Sequence, residues 1–267
     1  MKELYFIGGG KMATAIAGGI VKAGVFPAEQ LGAFDPDVKA AALFTKTTGV
    51  KADGDSPKAG IAGSKAVLIA VKPQMLDKAL AGLADLLKDK VVLSIVAGVP
   101  ISRLEELCGT GRIVRIMPNT PALVGCGAAA FAPGAGALPE DAALAERIFG
   151  AVGVACKLKE SDLDAVTALS GSGPAYAFEF IQSLADGGVA EGLPRDVAVM
   201  LAAQTLLGSA QMVLKTGEHP ASLKDKVTSP AGTTSRGLEV LAERGFAGSV
   251  MLAVRAAAKR SRELGKK

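Results

Sequence analysis

The chain has 267 residues, which exceeds the most common domain size and predicts one large or two modest domains. Much of its apolar 49% is alanine, aromatic residues make up 4% and tryptophan is absent, so the composition suits close helix packing more than a deep aromatic pocket. The net charge is +4 and is spread along the chain apart from the basic end KRSRELGKK, and without interleaved basic and aromatic residues it argues against a nucleic-acid-binding protein.

The start of the chain and its cysteines indicate the compartment. The segment MKELYFIGGG enters a strand at once, with no signal peptide, and the apolar runs AVLIAV and VVLSIVAGV are too short to cross a bilayer. The cysteines Cys108, Cys126 and Cys156 have no metal-like spacing and look like reduced thiols. We therefore expect a cytoplasmic protein with no metal site and with neither a membrane nor a nucleic acid as partner.

Short β-type runs alternate with helical stretches in the first part of the chain. In order they are YFIGG, LGAFD, GVKAD, AVLIAV, VVLSIVAG and RIVRIMP, with GVKAD the weakest. This alternation predicts a parallel sheet with right-handed crossovers and helices on both faces. From about Ser161 long Ala/Leu-rich helical periods follow. We predict an α/β fold in which a domain over residues 1–158 contains this sheet and an all-α domain follows over residues 159–267.

The first strand leads into a glycine loop and an amphipathic helix. In Gly8-x-Gly10-x-x-Ala13 the first glycine would make the tight turn and the second would let the backbone approach a pyrophosphate. The small third residue would let helix and strand pack, and the helix N-terminus would supply amide dipoles. The position directly after a strand favours this interpretation over a plain β–α turn. The predicted cofactor is NADPH or NADH, bound at Gly8, Gly10, Lys11, Met12 and Ala13.

Asp35 ends the second strand, about 20 residues after the glycine loop. A carboxylate there typically accepts hydrogen bonds from the adenosine ribose and repels a 2′-phosphate. This argues for NADH over NADPH, with Lys39 the only nearby cation that could offset the repulsion. The alternative, that Asp35 merely caps the next helix before Pro36, stays open.

The segments after the later strands supply more cofactor candidates, because ligands bind outside the carboxyl ends of the strands of an open α/β sheet. Pro73 could instead be only the first residue of a helix, and Asn119 only a turn former. The predicted residues are Ala70, Val71, Lys72, Pro73, Ala97, Gly98 and Asn119.

Three later segments narrow the class of enzyme. They are RIMPNTPALVGCG (115–127), ALSGSGPAYAF (168–178) and LKDKVTSPAGTTSRGL (223–238). With the glycine loop, in this order and spacing, the chain resembles the pyrroline-5-carboxylate reductase family. The resemblance implies reduction of 1-pyrroline-5-carboxylate to L-proline with NAD(P)H, the last step of proline biosynthesis. It also implies that residues 1–158 form a Rossmann-type dinucleotide-binding domain and that residues 159–267 form a substrate and dimerisation domain. Homodimers would form through intertwined C-terminal helices, and a larger ring of dimers is left open.

The resemblance also implies a substrate site without a strong acid. An imine nitrogen can carry its proton before hydride arrives, so the protein needs mainly to hold the ring against the nicotinamide and to anchor the carboxylate. The implied substrate residues are Ser229, Gly232, Thr233 and Thr234, with Thr234 as the catalytic hydroxyl nearest the ring nitrogen. Without the resemblance, turn or helix-cap residues would be the better interpretation of both threonines.

The chain departs from the family pattern at several positions. Cys126 stands where glutamate is frequent, Ala129 where a small hydroxyl residue is usual, and Ser235 and Arg236 are more polar than the usual residues. Ala231 replaces a glycine of the usual SPGGTT. Because a non-glycine residue at positive φ is strained, we predict a negative φ at Ala231, or else a small local cost.

Other functions are weaker. A 3-hydroxyacid dehydrogenase on the same plan would need a lysine and an asparagine in its second domain, but the only asparagine is Asn119. A prephenate-type dehydrogenase would need histidines in its site, and the chain has only one, His219, to which we assign no catalytic role. Glu179 and Asp186 share a helix face but are more simply solvated or interhelical. A sensor that binds NAD(P) without turnover is the alternative of another class, and the TSPAGTT turn argues against it.

Overall fold

The computed structural model describes residues 1–265 and contains an eight-stranded sheet, the helices that cover it and a set of long helices. The strands are β1 (Lys2–Ile7), β2 (Leu31–Phe34), β3 (Ala52–Asp53), β4 (Ser64–Ile69), β5 (Val91–Ser94), β6 (Ile113–Met117), β7 (Gly127–Pro133) and β8 (Gly153–Lys157). The helices among and after them are α1 (Lys11–Lys22), α2 (Val38–Thr48), α3 (Lys58–Ala62), α4 (Leu76–Leu80), α5 (Ala84–Leu87), α6 (Ile101–Cys108), α7 (Pro139–Gly150) and α8 (Leu163–Val166). The long helices that follow, with their shorter companions, are α9 (Gly173–Ala190), α10 (Arg195–Thr216), α11 (Pro220–Lys226), α12 (Thr233–Glu243) and α13 (Phe246–Leu264).

The sheet has the order β3-β2-β1-β4-β5-β6-β7-β8. Strands β1 to β6 pair in parallel, which confirms the six predicted strands and the α/β class. The chain reverses its direction of winding between β1 and β4, and this switch point is where an open α/β sheet binds its ligand.

Strands β7 and β8 were not predicted. β7 runs antiparallel to β6, and β8 pairs in parallel with β7, so the sheet is mixed rather than wholly parallel. The sequence of β7, GAAAFAP, is mostly alanine and glycine, which have low β propensity. Tertiary packing therefore decides its conformation, since Ala130, Phe131 and Ala132 are all buried.

The core lies on both faces of the sheet. Alternate β1 side chains point to opposite sides: Leu4 and Phe6 join one apolar cluster, and Tyr5 and Ile7 join the other. Helices α1 and α7 cover the first face, and α4 and α6 cover the second. Each large side chain buried in this way contributes about 1.5–3 kcal/mol. The sheet is thereby held rigidly enough to position the loops at its carboxyl edge.

The chain forms two compact units. The sheet unit comprises Met1–Ser172 together with the residues from Ala257 onward, and the helical unit is Gly173–Ala256. The units divide later than the predicted boundary between residues 158 and 159. The reason is that α8 and the turn after it pack on the sheet, where Leu163 is 1% exposed and Ala168 is 0% exposed.

The helical unit has a small core and large apolar surfaces. Its buried cluster consists of Ala185, Ala198 and Ala202, where α9 meets α10. On α10, Met200, Leu207 and Leu214 recur every seven residues and so share a face; all three are exposed. α10 is also long and apolar enough to cross a membrane by length and composition, which the short apolar runs noted in the sequence did not reveal. Apolar faces of this size mark an interaction surface.

Candidate active site

The glycine loop has the geometry that a dinucleotide needs. Gly8 has φ +104°, and a Cβ atom there would lie 2.6 Å from the Ala70 carbonyl oxygen, so only glycine fits. A Cβ atom on Gly10 would meet no atom within 4 Å, which leaves the space open for a ligand. Met12 packs beside the core, and Ala13 is buried in it. This geometry agrees with a tight turn at Gly8 and close packing at Ala13, while approach of Gly10 to a pyrophosphate stays a prediction.

The N-terminus of α1 can take a phosphate. Its N-cap is Gly10, no side chain caps it, and its first turn has no acidic residue. The first amides of a helix without such partners point at a ligand and carry a positive partial charge. The residues present therefore fit the pyrophosphate of a nicotinamide cofactor.

A cavity of about 460 Å³ opens beside this loop at the carboxyl ends of β1, β2 and β4. It is lined by the predicted residues Gly8, Gly10, Asp35, Ala70, Val71 and Lys72. Sequence reasoning missed other residues of its wall: Pro57, Lys58, Met75, Lys78 and Leu83. Pro57 and Lys58 follow the weakest predicted strand, and attention to the end of that strand is the signal that could have found them. The cofactor contacts themselves stay a prediction.

Asp35 joins two turns rather than capping a helix. Its Oδ2 accepts a hydrogen bond from the Gly9 amide at 2.8 Å, and its Oδ1 accepts one from the Asp37 amide at 2.9 Å. The alternative that Asp35 caps α2 is wrong, because Asp37 is the N-cap and accepts from the Lys39 amide at 2.8 Å. Each carboxylate oxygen of Asp35 has a second acceptor site, which a ribose hydroxyl can use.

The expectation that Lys39 is the only cation near Asp35 is wrong. The wall that contains Asp35 also contains Lys58, Lys72 and Lys78, whereas Lys39 does not line the cavity. Lys58 begins α3, Lys72 lies in the β4–α4 connection and Lys78 lies in α4, so the fold brings all three to the wall from other parts of the sequence. Their positive charges oppose the repulsion between Asp35 and a 2′-phosphate.

The remaining predicted cofactor residues lie outside this cavity. Lys11 lines a second, wider groove between α1, α2 and the segment after β6. Pro73 opens a short 3₁₀ turn, as the alternative interpretation has it. Ala97 and Gly98 lie between β5 and α6, where the Ile101 amide donates to Glu160 Oε1 at 2.7 Å. Contact between these residues and a cofactor stays a prediction.

Asn119 is engaged inside the sheet unit. Its Nδ2 donates to the carbonyl oxygen of Ser170 at 3.2 Å and to Ser170 Oγ at 3.1 Å, and its Oδ1 accepts from the Ala128 amide at 2.8 Å. The side chain is therefore neither only a turn former nor directed at open space. Its predicted contact with the cofactor is not tested by these bonds.

The segment implied to bind substrate comprises the turn before α12 and the first two residues of that helix, in the helical unit. Gly232 is the N-cap of α12, no side chain caps it, and the first turn has no acidic residue. No described residue forms a hydrogen bond with the hydroxyls of Ser229, Thr233 or Thr234, whereas Ser235 Oγ donates to the Gly232 carbonyl. Open amides and hydroxyls at one helix start fit a small carboxylate.

Ala231 has φ +55°, so the predicted negative φ is wrong and the stated alternative, a local cost, applies. Ser229 to Gly232 form a turn in which the Gly232 amide donates to the Ser229 carbonyl at 3.1 Å. Pro230 occupies the second position of this turn, and the third position requires a positive φ in the type II form. Alanine there costs about 1–2 kcal/mol.

Two side chains that were given no catalytic role in the sequence analysis, those of His219 and Asp186, have structural partners. His219 is the N-cap of α11, and its Nδ1 accepts from the Ala221 amide at 3.2 Å. Asp186 forms an ion pair with Arg195. Over residues 1–265 no cluster of three or more His, Cys, Asp or Glu side chains could hold a metal ion.

These features define a class of protein. The sheet unit has a dinucleotide-type glycine loop and cavity, and the helical unit has an open anion site surrounded by hydroxyls. Together they describe a nicotinamide-dependent oxidoreductase that acts on a small anionic substrate.

Comparison with known proteins identifies the family. A family model described as pyrroline-5-carboxylate reductase dimerisation matches residues 160–264, and one described as NADP oxidoreductase, coenzyme F420-dependent, matches residues 3–98. The chain is 48% identical to the pyrroline-5-carboxylate reductase of Arabidopsis thaliana over 98% of its own length and 95% of the relative's. The chain belongs to the pyrroline-5-carboxylate reductase family.

Solved structures agree with this assignment. A pyrroline-5-carboxylate reductase from Coxiella burnetii superposes with a TM-score of 0.93 at 32% identity, covering 98% of both chains. The Plasmodium falciparum pyrroline carboxylate reductase with NADP bound has a TM-score of 0.87 at 36% identity, covering 99% of this chain and 98% of the other. Neither dehydrogenase alternative is needed to explain the fold.

Proposed function

We infer that this chain reduces 1-pyrroline-5-carboxylate to L-proline with NADPH or NADH, the last step of proline biosynthesis. The observation that carries this inference is the uncapped start of α12 with free hydroxyls on Ser229, Thr233 and Thr234, found in a chain of this family. The dinucleotide-type cavity of the sheet unit supports the choice of cofactor.

The reaction requires little acid–base chemistry from the protein. When bound, the nicotinamide cofactor would supply a hydride to ring C5, and the ring nitrogen, already protonated, would take up the C=N electron pair without a proton from the protein. Thr234 is half-buried at the start of α12 and accepts a hydrogen bond from the N–H of the ring. The Ser229 hydroxyl and the Thr233 amide hold the carboxylate and so fix the ring, whereas the Gly232 amide, expected to share this role, already donates to the Ser229 carbonyl. A carbonyl reductase would need a proton donor for an alkoxide, and this site has no need of one.

Asp35 and the lysines around it bear on the choice between the two cofactors. Asp35 favours an unphosphorylated ribose, and the cations of Lys58, Lys72 and Lys78 make a 2′-phosphate tolerable. The arrangement supports use of both NADH and NADPH rather than strict exclusion of either.

The helical unit supports a homodimer. Its buried core is three alanines, while the α10 face of Met200, Leu207 and Leu214 is exposed in the single chain. A partner's matching face would cover these side chains. Assembly of dimers into a ring is left open.

The three unpaired cysteines support a cytoplasmic location. Burial raises the pKa of the Cys108 thiol to about 12, so this thiol stays protonated.

A turnover assay tests the proposed function. The purified chain is mixed with 1-pyrroline-5-carboxylate and either NADH or NADPH, cofactor absorbance is followed, and proline is quantified. We expect stoichiometric oxidation of cofactor and formation of proline. Cofactor binding without oxidation at high enzyme concentration would favour the sensor alternative and overturn the proposal.

A further inference from the structure

A π-helical turn, Thr167–Gly171, stands between α8 and α9. It closes where the Ser172 amide donates to the Thr167 carbonyl at 2.8 Å. Turns of this type are rare and occur often at functional sites. The turn contains Ser170 and Gly171, the first two residues of the SGSGP motif (170–174), to which the proposed function assigns no contact.

Pro174 accounts for the break in the helix. A proline has no N–H, and its ring excludes the carbonyl group four residues earlier from the usual helical position. For Pro174 that carbonyl belongs to Ser170, so the helical donor for the Ser170 carbonyl is missing. A buried carbonyl without a donor would be costly, and another group has to supply one.

Asn119 supplies that donor. Its Nδ2 lies 3.2 Å from the Ser170 carbonyl oxygen and 3.1 Å from Ser170 Oγ, which in turn donates to the Ala128 carbonyl at 3.2 Å. Asn119 Oδ1 accepts from the Ala128 amide, and the residue is only 9% exposed. One side chain thus ties the segment after β6 to the start of β7 and to the π-helical turn.

The packing leaves the turn little freedom. A Cβ atom on Gly171 would lie 2.6 Å from Met117 Cε, so the turn rests closely on the last residue of β6. The contact and the Asn119 bonds act at the same place, beyond the carboxyl end of β6. Strands β4 to β6 form the second half of the dinucleotide-binding sheet, opposite the half that contains Asp35 and the adenosine end.

We propose that Asn119 is a positioning residue for the reduction: it replaces the helical donor that Pro174 removes and so fixes the backbone of Ser170 to Ser172 beside the nicotinamide end of the crevice. The inference rests on the proposed function. Its consequence is that Asn119 acts on the geometry of hydride transfer and not on the affinity for the cofactor, because the cavity beside Asp35 is lined by other residues.

The first test is Asn119→Ala. Because a small misplacement of reacting groups is costly, kcat should fall roughly 10- to 100-fold. The Kd for NADPH, measured by fluorescence titration without substrate, should change less than about twofold. Ser170→Ala keeps the carbonyl acceptor and should lower kcat less. An unchanged kcat in Asn119→Ala, or a loss of cofactor affinity that parallels the loss of kcat, would overturn the proposal.

A rescue experiment separates positioning from general structural damage. Pro174→Ala restores a backbone N–H four residues after Ser170, so in that background the penalty of Asn119→Ala should shrink to about a few-fold in kcat. Pro139→Ala is the matched control: Pro139 is the first residue of α7, where its missing N–H has no helical carbonyl to serve, and the penalty should stay at full size.

The Pro174→Ala background also tests the proposal if Asn119→Ala alone fails to fold. The double variant Asn119→Ala/Pro174→Ala should then fold and turn over substrate. A double variant that is no better than the single one overturns the proposal. An unmodified chain that does not reduce 1-pyrroline-5-carboxylate overturns the proposed function instead, so the two failures are distinguishable.

Discussion

The two units of this chain differ in how many of their apolar and polar side chains find partners within the single chain. The sheet unit buries two large apolar clusters, and its polar residues Asp35 and Asn119 are engaged with backbone groups. The helical unit buries three alanines, and among the described residues its apolar α10 face and the hydroxyls of Ser229, Thr233 and Thr234 have no partners. The sheet unit therefore satisfies most of its groups internally, whereas the helical unit presents the surfaces to which the proposed function assigns a substrate and a partner chain. Substitutions in the two units should therefore have different effects on turnover, assembly and stability.

The largest effect is expected at Thr234. Thr234→Ala should lower kcat about 100-fold while leaving the Kd for NADPH nearly unchanged, because the ring loses a hydrogen bond that positions it and a small misplacement of the reacting atoms costs about 10²-fold. Thr228→Ala is the control, since the Thr228 hydroxyl already donates to the Lys224 carbonyl at 2.8 Å. An unchanged kcat in Thr234→Ala would remove the hydroxyl from the mechanism.

A charge in the exposed α10 face should separate the subunits. Leu207→Glu buries an unpaired carboxylate if this face is covered, and a central interface residue contributes about 2 kcal/mol or more. Light scattering at micromolar concentration should then report a monomer in place of a dimer. Leu43→Glu is the matched control, because Leu43 is 62% exposed on α2 of the sheet unit and its replacement should leave the mass unchanged. A dimer that persists in Leu207→Glu would place the interface elsewhere.

A substitution of Asp35 should have a smaller effect, on the preference between NADPH and NADH. Asp35→Ser should raise the kcat/KM ratio of NADPH to NADH about tenfold, corresponding to about 1.4 kcal/mol. The three lysines of the wall remain to bind the 2′-phosphate once the carboxylate is gone. Lys39→Ala should change the ratio little, because Lys39 lies outside the wall. If Asp35→Ser leaves the ratio as it was, the carboxylate serves only the Gly9 and Asp37 amides.

The smallest effect concerns stability. Ala231→Gly removes the strain of a positive φ and should raise the free energy of unfolding by about 1 kcal/mol, seen as a higher Tm. The greater entropy of glycine in the unfolded chain offsets part of this gain. Glycine at Ala221, an ordinary position in the first turn of α11, should lower the Tm and serves as the control. A lower Tm in Ala231→Gly would mean that the turn does not strain the alanine.

Local patterns were enough for most of the fold. Strands β1 to β6 and the glycine loop could be predicted because apolar runs and glycine spacing are properties of adjacent residues. β7 could not, because its alanines carry no strand signal and are held by pairing with β6 and β8. The family itself follows from VTSPAGTT and SGSGPAY, whose order and spacing few other sequences share.

The sequence by itself determined the α/β class, the dinucleotide motif, the family and the segment that contains Thr234, since each depends on short runs of residues. Only the tertiary structure decided that Asp37 rather than Asp35 caps α2, that Lys58 and Lys78 line the cavity beside the glycine loop, and that Ala231 has a positive φ. It also paired Asn119 with Ser170, which is 51 residues away. The physical reason is the range of the interactions: a hydrogen bond or a cavity wall joins residues that the folded backbone brings together, and no local pattern of the chain records which residues those will be.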